Sequence, residues 1–133
     1  MVAGTDVATL RHIEIPEAFI RLRSDDIVHV HYKKNTVLDV ELQLRMRKIF
    51  DEMAGLRKLK FIFSGDEGFI LTKEARENAS LRQRESPISA YAIIANNLGY
   101  KIVANFYIKV VKPKGQYKVF NKFDEALAWL YSI

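Results

Sequence analysis

The segment from residue 64 to residue 72 concentrates the side chains best suited to chemistry. This 64–72 loop contains two hydroxyls, Ser64 and Thr72, and two adjacent carboxylates, Asp66 and Glu67. A hydroxyl can act as a nucleophile or accept a phosphate, whereas paired carboxylates can act as acid and base. Side chains of adjacent residues diverge, however, and no histidine follows the loop in the chain. We therefore predict that the protein is not an enzyme and has no cofactor.

Two histidines form the other pattern with chemical potential. His29 and His31 are separated by one residue on a predicted strand, so both imidazoles lie on the same face. A His-x-His pair can hold a metal ion, but a site needs at least a third ligand, and no suitably spaced carboxylate or histidine joins the pair. The pattern instead indicates an edge strand that tolerates polar residues on one face. No metal site is predicted.

A buried strand and a helix are predicted on either side of the 64–72 loop. Residues 59–63 form a short apolar run that is typical of an interior strand. Thr72 can cap a helix over residues 72–84. A loop between the carboxyl end of a strand and the start of a helix is where open α/β domains bind ligands. The loop is therefore the first candidate for a functional surface.

The predicted helix over residues 98–112 is apolar over most of its circumference. Its polar residues form one narrow row, and Phe106, Tyr107 and Val110 lie outside that row. Such a helix is usually buried on more than one side. Core burial, a homodimer contact and an apolar ligand site are the alternatives for the second side. Phe106, Tyr107 and Val110 are the candidate residues for an apolar pocket or dimer face.

The chain alternates between strands and helices after an opening hairpin. Residues 19–23 and 27–32 alternate between apolar and polar side chains around an Asp-rich turn, which predicts the hairpin. Asp39 and Gly55 are the expected cap and stop of an amphipathic helix. The order β-β-α-β-α-β-α-β-α predicts a mixed, mostly parallel α/β sheet of about five strands with about four helices.

Length and composition indicate a single globular domain. The chain has 133 residues, contains no cysteine and shows neither a secretory signal nor an apolar run long enough to cross a bilayer. We expect a loosely ordered N-terminal arm over residues 1–17, with a short strand over 10–15, and one domain over residues 18–133. This composition fits a cytoplasmic protein.

The positive charge of the chain is best explained by its solvated surface. The net charge is +5, which could attract nucleic acid or an anionic membrane. No aromatic-rich RNA-binding signature and no helix-turn-helix pattern accompanies the charge. We therefore expect no specific nucleic-acid partner and no membrane insertion.

Four short stretches resemble, in their order and spacing, the SpoIIAA-like group of proteins: residues 27–33, 72–76, 104–109 and 119–130. That group contains the STAS domains of anti-sigma-factor antagonists and is structurally akin to the lipid-exchanging CRAL-TRIO domains. The match is closest to small stand-alone bacterial members of unknown function. The resemblance implies a STAS-like fold for the domain, although fold does not by itself give function.

The resemblance also implies a regulatory role, with one departure from the family pattern. STAS antagonists carry an Asp-Ser-x-Gly-type loop whose hydroxyl residue is phosphorylated by a partner kinase. Here Ser64 stands where a strand-terminal Asp is expected, and Thr72 holds the hydroxyl at the helix start. A phosphate on Thr72 would be favoured by the helix dipole and opposed by Asp66 and Glu67.

Two functions from different classes follow from this reading. The first is a non-catalytic regulatory module that docks a regulatory protein through the 64–72 loop and the helix after it, and that can form a homodimer. The alternative is a CRAL-TRIO-like binder of a small apolar or amphipathic ligand, held between the helix over residues 98–112 and the sheet.

Overall fold

The computed structural model describes residues 7–82, 86–113 and 115–133. The strands are β1 (Thr9–Ile15), β2 (Ala18–Arg23), β3 (Ile27–Tyr32), β4 (Val37–Leu38), β5 (Leu59–Gly65), β6 (Ile70–Leu71), β7 (Ile88–Ile94) and β8 (Gln116–Phe120). The helices are α1 (Val40–Ala54), α2 (Lys73–Arg82), α3 (Leu98–Val111) and α4 (Phe123–Ser132). Within these residues, no helix combines the length and the apolar character needed to cross a membrane.

Six strands form the main sheet in the order β1-β2-β3-β5-β7-β8. The β1–β2 and β2–β3 pairs are antiparallel, whereas the three remaining pairs are parallel. Strands β4 and β6 form a separate, parallel two-stranded sheet. The predicted mixed, mostly parallel α/β fold with an N-terminal hairpin and four helices is confirmed, with six strands in the sheet instead of about five.

The additional strand comes from the segment that we predicted to be a loose arm. Thr9–Ile15 pairs with β2 along its length, and Ile13 and Ile15 pack against the core. These contacts order the strand because the hairpin of β2 and β3 would otherwise leave an unpaired edge beside the core. Residues 9–15 are therefore part of the sheet, and the short strand expected over residues 10–15 is present as β1, which is paired with β2 although its side chains are exposed or half-buried.

Helices cover the two faces of the sheet unequally. Helices α1 and α3 pack on one face, the front face, around side chains such as Val30, Phe61 and Ile93. Helix α4 packs on the opposite back face against Ile62 and Ala92. The crossovers through α1, α2 and α3 join neighbouring parallel strands, and a shared handedness places such crossovers on one face. The back face beside β1 and β2 is left for polar side chains.

The cap residues of α1 agree with the sequence. The Asp39 side chain accepts a hydrogen bond from the Leu42 N–H at 2.9 Å, and Gly55 ends the helix with a φ of 64°. Leu42, Met46 and Phe50 are buried along one face of the helix. The predicted amphipathic helix is confirmed.

Helix α3 differs from its prediction. Only Tyr100, Ala104 and Val111 are buried. Four apolar side chains at intervals of four residues form an exposed outer row: Leu98, Ile102, Phe106 and Val110. The alternative of core burial for the second side of this helix is wrong, because a single layer of helices on the sheet leaves the far side of α3 facing outward; a homodimer contact at that side stays a prediction.

Candidate functional site

The 64–72 loop is held against the sheet at the carboxyl ends of the strands. The Asp66 N–H donates to the Tyr32 carbonyl at 2.9 Å, and the Asn97 side-chain amide donates to the Gly65 carbonyl at 2.9 Å. Gly65 has no side chain because the Tyr100 ring occupies the place of a Cβ, which would lie 2.5 Å from its nearest carbon. The loop therefore starts from a fixed backbone position next to α3.

Ser64 lies on the back face between the two histidines of β3. Its Oγ is 2.7 Å from His31 Nδ1 and 3.0 Å from His29 Nε2, and Asp66 Oδ1 is 3.0 Å from His31 Nε2. Because an ionised Asp66 can only accept, a neutral His31 would carry its proton on Nε2 and accept the Ser64 proton at Nδ1. Ser64 Oγ then accepts from His29 Nε2–H. We call this chain of hydrogen bonds the Ser64 network.

In the Ser64 network, Asp66, His31 and Ser64 follow one another as carboxylate, imidazole and hydroxyl do around an activated serine. The hydroxyl is a poor candidate for attack on a substrate, however, since Ser64 is only 9% exposed and lines neither of the two cavities described below. The network also joins strands β3 and β5, on which His31 and Ser64 are direct partners. The arrangement therefore has a clear structural role in fixing the two strand ends.

The histidines were misplaced by sequence reasoning. We interpreted His29 and His31 as residues of an edge strand, but β3 lies inside the sheet between β2 and β5. Pairing of two parallel strands of similar length brings His31 opposite Ser64. The signal that could have revealed this was a serine in an apolar strand, which needs a partner when it is buried.

The pKa of His29 is strongly perturbed by its surroundings. Burial, followed by the charges of Arg21, His31 and Arg23, lowers the pKa of His29 from 6.5 to about 4. Its ring lies 5.1 Å from the Phe123 ring of α4. At neutral pH the ring is therefore uncharged and acts as a hydrogen-bond donor to Ser64.

The other two residues predicted in the loop lie away from this network. The Thr72 hydroxyl accepts from the Ala75 N–H at 3.1 Å and so caps α2. Glu67 forms an exposed ion pair with Lys34 at 3.1 Å. The structure thus brings Ser64 and Asp66 together through His31, and it places Thr72 and Glu67 in separate contacts.

A cavity of about 480 Å³ opens on the front face between the sheet and α1, α2 and α3. Its walls are mostly apolar and include Phe50, Phe63 and Phe69, together with Tyr107 of α3. Of the three α3 residues predicted for a pocket or dimer face, Tyr107 therefore faces the cavity. Phe106 and Val110 lie in the exposed outer row and do not line it.

Four tyrosines line this cavity, which we call the tyrosine cavity: Tyr32, Tyr91, Tyr100 and Tyr107. Burial is the main cause that raises the pKa of each of them, and their mutual proximity adds to it for Tyr32, Tyr91 and Tyr100. All four therefore keep their protons at neutral pH and can donate hydrogen bonds.

The hydroxyl of Tyr91 is buried beside that of Tyr107. No described residue meets the Tyr91 hydroxyl with good hydrogen-bond geometry, but an interaction with the Tyr107 hydroxyl contributes to raising the pKa of Tyr91. The amides of the wall, in contrast, bond within the protein: Asn78 donates to Gln43 at 2.7 Å, and Gln43 donates to the Ala75 carbonyl at 3.0 Å. The cavity is therefore a mostly apolar space whose wall includes tyrosine hydroxyls.

A comparison with known protein families assigns the chain to one of them. The family model of DUF7793, a domain of unknown function, matches residues 20–133. The chain belongs to this family. Among the curated proteins, none matches this DUF7793 chain.

A solved structure shares the fold of this DUF7793 chain. It is an uncharacterised protein of the DUF3478 family with a SpoIIAA-like fold, from Shewanella loihica PV-4. The two chains are 14% identical, the match covers 93% of each, and the TM-score is 0.54. The SpoIIAA-like fold expected from the sequence is confirmed. An identity this low carries no conclusion about function.

Proposed function

We propose that the protein binds a small apolar or amphipathic ligand in the tyrosine cavity. The observation that carries the proposal is the cavity itself, at about 480 Å³, which is within the range of small-molecule sites. Its apolar walls would bury the body of the ligand, while a tyrosine hydroxyl of the wall would donate to an acceptor such as a carbonyl or carboxyl oxygen.

Filling the cavity tests this proposal. The probe is 1-anilinonaphthalene-8-sulfonate, whose fluorescence increases in apolar sites, and native mass spectrometry of protein purified without detergent would reveal a retained ligand. In Val103→Trp the indole would occupy the cavity, because Val103 lines it. Its matched control is Ile102→Trp on the preceding residue of α3, whose side chain is 60% exposed.

We expect Val103→Trp to weaken probe binding at least about tenfold, a loss of about 1.4 kcal/mol, while Ile102→Trp keeps the wild-type affinity. A second variant, Ala79→Phe, fills the cavity from α2, because Ala79 also lines it. It provides an independent test in case Val103→Trp disturbs the folding of α3. Equal affinity of all three variants, with circular dichroism confirming that they are folded, would contradict the proposal.

A second candidate function is the regulatory module, and the exposure of the acidic loop favours it. The Asp66 and Glu67 side chains are 53% and 70% exposed at the carboxyl edge of the sheet, where α/β domains present functional groups. Thr72 is engaged as a helix cap and Ser64 is buried. We propose that docking of a regulatory protein, without catalysis, would use the two carboxylates in preference to a phosphorylated hydroxyl.

A pull-down comparison separates this candidate from ligand binding. The variant Asp66→Ala with Glu67→Ala should lose the regulatory protein, whereas Asp124→Ala with Glu125→Ala, an exposed acidic pair on α4, should retain it. Equal recovery by both double variants would count against the loop. Homodimer formation belongs to the same candidate, and sedimentation should then show a dimer that Ile102→Lys in the outer row dissociates.

A further inference from the structure

The back face carries a row of basic side chains across three adjacent strands. His12 of β1 is the direct partner of Arg21 of β2, and Arg21 is the direct partner of His29 of β3. Side chains opposite each other on one face of a sheet lie within about 5.5 Å at Cβ. Arg21 is the permanently charged residue among the three, and the imidazoles can supply N–H donors beside it. We call these three residues the basic row.

Arg21 is the member of the row that lacks a counter-charge. It forms no ion pair with any described residue, and its Nε is buried without a hydrogen-bond partner. Arg23, two residues further along the same strand, shows the usual solution, because its guanidinium binds both oxygens of Asp25 at 2.8 to 3.2 Å. A partly desolvated guanidinium without such a partner is costly. An anion supplied from outside would fulfil the same role for Arg21.

A hollow of about 400 Å³ lies at the basic row. Its described walls are Thr9, His12, Phe19, Arg21, His29 and His31, and no carboxylate is among them. The two carboxylates closest in register are engaged elsewhere.

Asp66 is one of these carboxylates, and it accepts from His31 at 3.0 Å. Glu14 is the other, and it accepts from Lys33 at 2.6 Å. Neither compensates the charge of Arg21. Among the described residues, the walls of the hollow therefore carry the positive charge of Arg21 and no carboxylate that neutralises it.

We propose that this hollow binds the phosphate group of a small phosphate monoester, with Arg21 as its anchor. A guanidinium presents its N–H groups in a planar fork that matches two phosphate oxygens, and an imidazole of His12 can add a further donor. The hollow is larger than a phosphate group requires. Its rim includes the stacked rings of His12 and Phe19, with centroids 6.0 Å apart, and these can pack against the organic part of the ester. This site is on the opposite face from the tyrosine cavity and does not depend on it.

Calorimetric titration with phenyl phosphate, inorganic phosphate and acetate tests the site. We expect phenyl phosphate to bind more tightly than inorganic phosphate, and acetate to bind weakest because it carries a single charge. Arg21→Gln should weaken phenyl phosphate binding at least about tenfold. The matched control is Arg11→Gln, which removes an exposed arginine of β1 whose partner is Glu52, and it should bind as the wild type does.

Several results would overturn the assignment. They are the absence of heat with phenyl phosphate at millimolar concentration, unchanged affinity in Arg21→Gln, and acetate binding as tight as that of phosphate. Inorganic phosphate binding as tightly as the ester would overturn the monoester class. Thermal unfolding shows whether a loss of binding comes from misfolding. Because Arg21→Gln removes an uncompensated charge, the variant should remain at least as stable as the wild type. Phosphate should raise the Tm of the wild type but not that of this variant.

Discussion

Acidification should destabilise the protein through His29. In the folded state the pKa of His29 is lowered from 6.5 to about 4, first by burial and then by the charges of Arg21, His31 and Arg23. The unfolded chain therefore takes up the proton at a higher pH than the folded chain does. Stability that is fully present above the unfolded pKa of 6.5 is lost as the pH falls toward 4.

The size of the effect follows from the two pKa values. A shift of one pKa unit corresponds to about 1.4 kcal/mol. Integrating the proton uptake between about pH 7.5 and about pH 4.5 gives a loss of about 2.5 kcal/mol from this one residue. A domain of this size has a total stability of about 5 to 15 kcal/mol, so the loss is easily measured.

The contribution of His29 to the free energy of unfolding can be isolated by urea unfolding. The wild type and His29→Gln are each unfolded at the two pH values. The glutamine amide can still donate to Ser64 but cannot titrate, so carboxylate effects shared by both proteins cancel in the difference. The wild type should lose about 2.5 kcal/mol more than the variant. His12→Gln removes an exposed histidine from the same face and should keep the wild-type loss, because His29 is intact. A difference below about 0.5 kcal/mol between the wild type and His29→Gln would refute the reasoning.

Three substitutions test the local packing and hydrogen bonds by urea unfolding of the ligand-free protein. Tyr91→Phe removes a buried hydroxyl that no described residue meets with good hydrogen-bond geometry and should leave stability unchanged or raise it by about 1 kcal/mol; a clear loss would mean that the hydroxyl makes a good hydrogen bond. Gly65→Ala places a methyl group 2.5 Å from the Tyr100 ring and should cost about 1 to 3 kcal/mol, so wild-type stability would contradict the close approach. Thr72→Ala removes the cap on the Ala75 N–H and should cost about 1 kcal/mol, whereas no change would argue that the hydroxyl faces solvent.

The fold could be predicted because its signals are local. Alternation in β2 and β3, the Asp39 cap and the Gly55 stop are read from a few neighbouring residues, and each agrees with the structure. Because crossover connections between parallel strands are right-handed, few topologies are then possible for the parallel strands. Strand β1 was harder to predict because its pairing with β2 depends on where the edge of the sheet lies.

The candidate sites could be predicted only in part, because they depend on pairing between distant strands. Ser64 and Asp66 were found from the loop, but their link to His31 requires the register of β3 against β5. Tyr107 was found on α3, yet its neighbour Phe106 was assigned to the same surface. A helix that is apolar all round does not reveal which side meets the sheet until its partners are known.

The alternation of strand β3 connects the two faces of the sheet. Tyr32 lines the tyrosine cavity on the front face, while His31, the residue before it, holds Ser64 on the back face. Strand β5 has the same arrangement, since Ser64 is followed by Gly65, which the Tyr100 ring contacts. The Ser64 network therefore fixes the two strand ends that carry Tyr32 and contact Tyr100. A buried serine that positions a binding cavity has a different task from an exposed serine that accepts a phosphate, and this difference favours ligand binding over a phosphorylation switch at residue 64.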